Sequence, residues 1–254
     1  MKFTGIVLAG SRPGRDYFAE QFGTDLKALI AVGGKPMVRR PVRALLASRS
    51  IGSIIVLSQV PERIAAVVSK DARVSFRESR GTIAETLLDL CDDLETEWPL
   101  VVTTADHALL DAGTVDEFAA KAAGADVAIG VVERRILMRR FPKAQRTWLR
   151  FRGGAYTGAN LFALKSANVR AAIELWRSVE LDRKKAWRVM SLLGPVTLII
   201  VGLRLVSLGE VLAQLGGRLG LQIKAVELSN ALAGVDVDKP ADHTLAEAIL
   251  AGKA

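Results

Sequence analysis

Gly5-Ile6-Val7-Leu8-Ala9-Gly10-Ser11-Arg12-Pro13-Gly14-Arg15 stands near the start of the chain, and Lys27-Ala28-Leu29-Ile30-Ala31-Val32-Gly33-Gly34-Lys35-Pro36-Met37 follows shortly after. The first stretch is an apolar run delivered into a glycine-containing loop with an arginine behind it. A buried strand that opens this way builds a seat for a polyphosphate. Glycines let backbone N–H groups turn inward towards phosphate oxygens, and cationic side chains neutralise the charge that dipoles alone leave. Two better-known loops do not fit: the dinucleotide fingerprint needs G-x-G-x-x-G, and the nucleoside-triphosphatase loop needs G-K-[ST] at the right gap.

The rest of the sequence fits nucleotide chemistry. At 254 residues and 50% apolar, the chain is long enough for one large α/β domain with a substantial core. A formal charge of +8 favours anionic partners. The single cysteine, Cys91, excludes an internal disulfide framework and fits a reducing cytoplasm. His107 and His243 lack Cys/His ligand spacing, which argues against a structural zinc. Met1-Lys2-Phe3 runs straight into the first strand without a charged-then-apolar leader, so the expected location is cytoplasmic. The one membrane-like stretch, Val189 to Leu208, is broken by Gly194-Pro195, Gly202 and Arg204. A spanning helix needs about 20 mostly uninterrupted apolar residues. A buried helix with its connection is the reading here, and peripheral docking on the inner membrane face is the alternative.

Apolar runs bounded by turn residues alternate with helical periodicity. Strands are expected at Gly5–Ala9, Ser53–Leu57, Val74–Phe76, Leu100–Thr104, Val127–Val132, Ala159–Ala163 and Ile223–Leu228. Helices are expected at Pro36–Ser48, Glu62–Lys70, Ile83–Leu94, Ala112–Ala122 and Val169–Val179. Strands separated by helices imply crossovers, hence a single-domain, three-layer α/β fold with an open, mostly parallel sheet and helices on both faces. Two segments depart from the βα rhythm. A basic rim insertion spans about 133–158, and an apolar helical segment spans about 186–217.

Further along, Leu100-Val101-Val102-Thr103-Thr104-Ala105-Asp106 puts a carboxylate just past a buried strand, where open α/β sheets bind ligands. Carboxylate oxygen suits Mg²⁺, which keeps waters and phosphate oxygens as its other ligands. The competing reading is a helix cap, although Asp111 and Thr114 are better placed for that. In Gly234-Val235-Asp236-Val237-Asp238-Lys239-Pro240-Ala241-Asp242, two aspartates stand two residues apart on an extended segment, with Asp236 the first choice of ligand and Asp238 the second. Asp238 or Asp242 also reads as a cap of the last helix. Thr82 to Glu85 forms a capping box. Arg134, Arg135, Arg139, Arg140, Lys143, Arg146, Arg150 and Arg152 form either a solvated face or a seat for an acceptor phosphate or anionic lipid. No nucleic-acid module accompanies them.

The opening loop, with Gly10, Gly14 and Arg15, resembles the L-A-[AG]-G-x-[GS]-x-R signature of nucleotidyltransferases with the glycosyltransferase-A-like fold. These include the sugar-phosphate, phosphocholine and methylerythritol-phosphate transferases and the molybdenum-cofactor guanylyltransferases. Gly34-Lys35-Pro36-Met37 matches the family's G-K-P-M continuation, whereas Ser11 and Pro13 replace its usual glycines. The resemblance implies transfer of a nucleoside monophosphate to a phosphorylated alcohol, sugar or lipid precursor with release of pyrophosphate. It implies Arg15 and Lys27 as catalytic cations on the triphosphate, and nucleotide contacts from Leu8, Ala9, Gly10, Ser11, Gly14, Lys35 and Thr104. Gly81 and Thr82 fall where relatives read the base edge. Asp106, Asp236 and Asp238 are the implied Mg²⁺ ligands, the last segment resembling the family's D-x-[DNG]-T-P-E-D with Lys239 in place of Thr. Tyr156, Thr157 and Asn160 fall on the acceptor side. The Lys27–Met37 stretch is more similar to the sugar-phosphate and phosphoalcohol enzymes, which favours CTP. The alternatives are a guanylyltransferase acting on a molybdopterin-like precursor and a non-catalytic nucleotide-binding protein. A glycosyltransferase fits less well, because a sugar donor has no γ-phosphate for the Arg15–Lys27 pair.

Overall fold

The computed structural model describes residues 2–11, 14–79, 81–181 and 204–253. The main sheet contains β1 (Phe3–Leu8), β4 (Ile51–Ser58), β5 (Val74–Glu78), β6 (Leu100–Thr104), β7 (Val127–Glu133), β8 (Leu149–Phe151), β9 (Gly154–Leu164) and β10 (Ile223–Glu227). Their order across the sheet is β10-β7-β9-β6-β1-β4-β5, with β8 paired to β9. β1 lies at the centre, parallel to both β4 and β6, and β10 is parallel to β7. Only β9 runs against its neighbours β6 and β7, with β8 antiparallel to it at the rim. A separate two-stranded hairpin is formed by β2 (Ala31–Val32) and β3 (Lys35–Pro36).

The three layers follow from the period-2 alternation of each strand. Val7, Val56 and Val101 face one apolar cluster, whereas Ile6, Ile55 and Val102 face the other. On the first face pack α2 (Arg39–Ala47) through Val42 and Leu45, and α3 (Pro61–Val67) through Ile64. They are joined by α5 (Ala112–Ala122) through Val115 and Phe118, and by α6 (Arg134–Arg140) through Leu137. On the second face pack α4 (Ile83–Asp92) through Ala84, Leu87 and Leu88, and α7 (Arg170–Leu181) through Ile173. A strand buried on both faces reads as a continuous apolar run, as β1 and β6 do.

All seven expected strands and all five expected helices occur, Leu100–Thr104 and Ala112–Ala122 with the expected bounds and the others with shifted ends. α2 starts at Arg39 rather than Pro36, because Lys35–Pro36 is taken by the hairpin. β9 begins at Gly154, ahead of the expected Ala159, and the chain reverses at Arg152–Gly153. The basic rim insertion consists of α6, a loop and β8, and its helix is anchored in the core by Leu137.

Of the expected apolar segment, residues 186–203 lie outside the described residues. Its end is α8 (Leu208–Leu219), started by a Ser207–Glu210 capping box and stopped by Gly220 in the left-handed region. Only Gly216 of α8 is fully buried, so α8 is a surface helix; the buried helix expected at Val189 to Leu208 lies almost wholly outside the described residues. The last helix is α9 (Pro240–Leu250). Among the described residues no helix is long and apolar enough to cross a membrane.

Candidate active site

The C-terminal ends of β1 and β6 finish level with each other, Leu8 opposite Thr104. Two hydrogen bonds carry the pairing one step past the strands: Ala105 N–H donates to the Leu8 carbonyl (2.9 Å) and Ala9 N–H to the Leu57 carbonyl (2.8 Å). The backbones of Leu8 and Ala9 are therefore partly committed to the sheet, and they serve to deliver Gly10. An ideal Cβ on Gly10 falls 2.8 Å from the Gln59 amide, so a side chain there would push that amide aside. That amide ties the loop down: Ser11 N–H donates to Gln59 Oε1 (3.0 Å) and Gln59 Nε2 donates to the Ser11 carbonyl (3.2 Å). Gly14 has φ +107° and open space around it.

Arg15 is exposed. Its guanidinium donates twice to Glu20, at 2.8 and 2.9 Å, and lies over the Tyr17 ring. The structure does not bring it to the carboxylates described next.

Lys27 opens a short 3₁₀ turn, Lys27–Leu29, whose path is fixed by the hairpin behind it. Gly33 and Gly34, at φ +61° and +69°, make the two-residue turn that joins β2 to β3. Met37 N–H returns to the Ile30 carbonyl (2.8 Å) and Val38 N–H to the Ala28 carbonyl (3.0 Å). Buried Ala28 and Ile30 turn one side of this segment into the core, while the Lys27 ammonium reaches towards the sheet edge. It donates to Asp106 Oδ2 at 2.6 Å and also to Asp238 Oδ1. Burial opposes the charge on Lys27, but the two carboxylates outweigh it and raise its pKa. Lys35 sits exposed on the hairpin.

Asp106 is oriented from within its own loop, since the Thr104 hydroxyl donates to its Oδ1. Its carbonyl accepts the Val237 N–H at 3.0 Å, which brings the late acidic segment alongside β6. Asp236 accepts from Asn160 Nδ2 at 3.2 Å and lies 3.5 Å from Arg146. Burial, then the neighbouring Asp238, pushes its pKa up to about 6 against the pull of Arg146, with Asp106 adding to the rise. Burial acts the same way on Asp238, but the Lys27 ammonium prevails and holds it below the ordinary carboxylate range. The expected ranking does not separate Asp236 from Asp238, because residues two apart on an extended segment share a side. The segment turns into α9, with Asp238 N–H donating to Asp242 Oδ2 at 3.3 Å, and both side chains meet the same electrostatic cluster.

The other expected site residues are spread more widely. Thr82 caps α4: its hydroxyl accepts from Glu85 N–H (3.2 Å), and its own N–H donates to Glu85 Oε2 (2.7 Å). Glu180 takes the next donors, Ile83 N–H at 3.3 Å and Ala84 N–H at 3.0 Å. Gly81 has φ +81°, and a Cβ there would strike Glu85 at 2.2 Å.

On β9, Tyr156 is buried, and its hydroxyl is engaged with Glu227 rather than the Asp cluster. Thr157 is buried against Gly234. Asn160 alone of the three touches the cluster, with φ +46°, a backbone region that side-chain-bearing residues rarely adopt. Arg146 and Asp242 were legible only as part of a basic run and as a cap. In the fold they form a buried 2.9 Å ion pair beside Asp236.

The donor set fits a Mg²⁺ that is shared with phosphate. Among the described residues no three acidic, His or Cys side chains form a ready-made metal cage. One or two carboxylates suffice when phosphate oxygens and water complete the shell. Asp236 held close to Asp238 and Asp106, with a raised pKa, is a cluster of negative charge short of counter-charge.

His107, beside this cluster, is fully buried, with Thr103 Oγ1 3.2 Å from its Nδ1, and burial pushes its pKa down to about 4. Below the ordinary value of 6.5 the unfolded chain takes up a proton that the folded chain refuses. Stability is therefore lost as pH falls from 6.5 towards 4. Asp236 acts in the opposite sense. Its raised pKa gives a contribution that is fully present below 3.8 and lost as pH rises through about 6. The two offset each other in mild acid. Asp236→Asn is expected to unmask the histidine, with a loss of about 3 kcal/mol between pH 6.5 and 4 in urea titrations, set by roughly 1.36 kcal/mol per unit. Equal acid sensitivity in variant and parent would refute this account.

The comparisons with known proteins agree with this fold. Residues 5–195 match the family model described as MobA-like NTP transferase domain. A hypothetical transferase from Thermus thermophilus is 31% identical, with 96% of this chain and 100% of that one covered at TM-score 0.81. The 4-diphosphocytidyl-2C-methyl-D-erythritol synthase from Anaerococcus prevotii is 11% identical, with 98% and 96% covered at TM-score 0.62. A CMP:2-keto-3-deoxy-manno-octonic acid synthetase complexed with CTP is 12% identical, with both chains covered completely at TM-score 0.60. At these lower identities the likeness is one of fold. No curated protein sequence matches the chain.

Proposed function

The chain belongs to the MobA-like NTP transferase family, and from that premise we propose that it moves a nucleoside monophosphate from a nucleoside triphosphate, CTP for preference, to a phosphorylated alcohol, sugar or lipid precursor. An acceptor phosphate oxygen forms a bond to the α-phosphorus, the bond from the α-phosphorus to the bridging oxygen breaks, and pyrophosphate leaves with that electron pair. The acceptor phosphate is already an anion near neutral pH, so no activated Ser, Cys or His is needed. The barrier lies in bringing anions together and in the charge that shifts to the leaving group, and both are met by positioning and electrostatics.

The observation that carries this reading is the meeting of Lys27, Asp106, Asp236 and Asp238 at the C-terminal edge of β1 and β6, beside the Gly10 loop. Asp106 and Asp236, with Asp238 close by, would hold a Mg²⁺, which would supply charge neutralisation at the α-phosphate. In this reading Lys27 leaves its carboxylates for the β- and γ-phosphates, and Arg15 leaves Glu20 to join it. Gly10, Ser11 and Gly14 offer backbone to the phosphates, with Lys35 at the outer end. Gly81 lies on the base side and Asn160 on the acceptor side. Support for CTP comes from the fold neighbours whose names carry a cytidine nucleotide, and from the Lys27–Met37 stretch.

A second acceptor class, a molybdopterin-like cofactor precursor with GTP as donor, is supported by the resemblance of the opening loop to the molybdenum-cofactor guanylyltransferases. One experiment separates them: four triphosphates, each offered with a library of phosphomonoesters and Mg²⁺, scored for pyrophosphate. Release with CTP and a phosphoalcohol is expected. Release confined to GTP selects the second acceptor class, and no release with any pair overturns the proposal.

A further inference from the structure

We infer that Arg146, paired with Asp242, is a positioning residue that fixes the Asp236–Asp238 segment against Asp106. The inference rests on the reading of Asp236 as a metal ligand. Arg146 belongs to the basic insertion, yet it is turned inward, with its side chain 8% exposed and that of Asp242 6% exposed. Its guanidinium spends its donors on one short stretch of chain. Nε donates to the Gly234 carbonyl (2.9 Å) and Nη2 to the Asp236 carbonyl (3.1 Å), while Nη1 donates to Asp242 Oδ1 (2.9 Å) and to the Gln145 carbonyl (3.3 Å). The same Nη1 lies 3.5 Å from Asp236 Oδ1.

The acidic segment is thus held at both ends. Arg146 grips the backbone before and at Asp236, and the second oxygen of Asp242 accepts the Asp238 N–H at 3.3 Å. Asn160 takes the other oxygen of Asp236 at 3.2 Å, so each carboxylate oxygen has its own cation or donor. The insertion presses on this stretch from outside as well. A Cβ on Gly234 would come within 2.6 Å of Leu137 on α6. Groups that orient metal ligands in this manner typically set metal affinity by about 10–100-fold. The insertion therefore carries two kinds of arginine. Arg139, Arg140 and Arg150 face solvent, whereas Arg146 is used up inside and cannot seat an acceptor phosphate.

The test uses Arg146→Lys, which keeps a cation for Asp242 but lacks the planar fork needed to reach two carbonyls at the same time. Mn²⁺ dissociation is measured by electron paramagnetic resonance with a non-hydrolysable triphosphate present, next to a thermal melt. A folded variant with Mn²⁺ binding weakened about 10-fold or more is expected. In turnover, the Mg²⁺ activation constant should rise while the acceptor KM stays fixed. Asp242→Asn, measured the same way, serves if the lysine variant does not fold, and it too should bind Mn²⁺ more weakly. Parental Mn²⁺ affinity in a folded variant overturns the clamp alone, as does a raised acceptor KM with an unchanged Mg²⁺ constant. Absence of nucleotide-dependent Mn²⁺ binding in the parent protein removes the metal reading beneath it as well.

Discussion

Lys27→Ala is expected to lower pyrophosphate release at least 100-fold and, at the same time, to tighten divalent-cation binding to the nucleotide-free protein. Both effects follow from where the ammonium sits. In the structure it bridges Asp106 and Asp238, with its side chain 21% exposed, so a free cation arriving at the carboxylates must first displace it. Without the lysine that competition is gone and the carboxylates are left facing each other. In the proposed reaction the same ammonium would face the leaving pyrophosphate. Losing a preorganised charge of this kind typically costs about 2.7–4 kcal/mol of transition-state stabilisation. The variant should melt lower than the parent without divalent cation and regain more stability than the parent when Mg²⁺ is added, by simple linkage. A rate near that of the parent would refute the assignment of Lys27. Weaker Mn²⁺ binding in the nucleotide-free variant would refute the competition.

Asp106→Asn should be nearly as damaging to the rate and far milder for the fold. The amide keeps an oxygen for the Thr104 hydroxyl, and the Val237 N–H bonds to the backbone carbonyl rather than the side chain. What is lost is a negative charge that faces Lys27 at 2.6 Å and helps raise the pKa of Asp236. The expected outcome is a drop in kcat on the order of 100–1,000-fold, with an unchanged far-ultraviolet spectrum and weaker Mn²⁺ binding. Asp111→Ala is a useful control. Asp111 caps α5 through Thr114 N–H at 2.7 Å, so that variant should lose about 0.5–2 kcal/mol of stability and keep its rate. If Asp106→Asn lost stability and kept its rate in the same way, the cap reading of Asp106 would return.

Much of this architecture was legible in the residues themselves. Val127–Val132 carries no polar side chain and Leu100–Val102 opens β6 with three apolar residues in a row, which suits strands covered on both sides, and the alternation of Ile6 with Val7 divides between opposite faces of the sheet. Ala112–Ala122 was bounded correctly because Asp111 gives a strong local start signal. The hairpin at Ala31–Pro36 was missed, since two-residue strands carry no periodicity, although Gly33-Gly34 was the available signal. β9 was taken as shorter than it is because glycines in Gly153–Gly158 suggest a turn, whereas pairing with β7 and β8 holds Gly154 onward extended.

By itself the sequence determined the βα order, the buried strands, the glycine loop and the chemical types gathered near it: a lysine, an early aspartate and a late acidic pair. These are local properties, written in periodicity and in residues that tolerate unusual backbone. Which of those groups meet was decided only by the tertiary structure. The level ends of β1 and β6, and the Val237–Asp106 hydrogen bond, place Asp236 and Asp238 in one charge cluster with Lys27. The same packing turns Arg146 inward while Arg15 stays at the surface on Glu20. Charge and hydrogen-bonding pairs so far apart along the chain have no signature in either partner's neighbourhood, because their energy depends on distance in space.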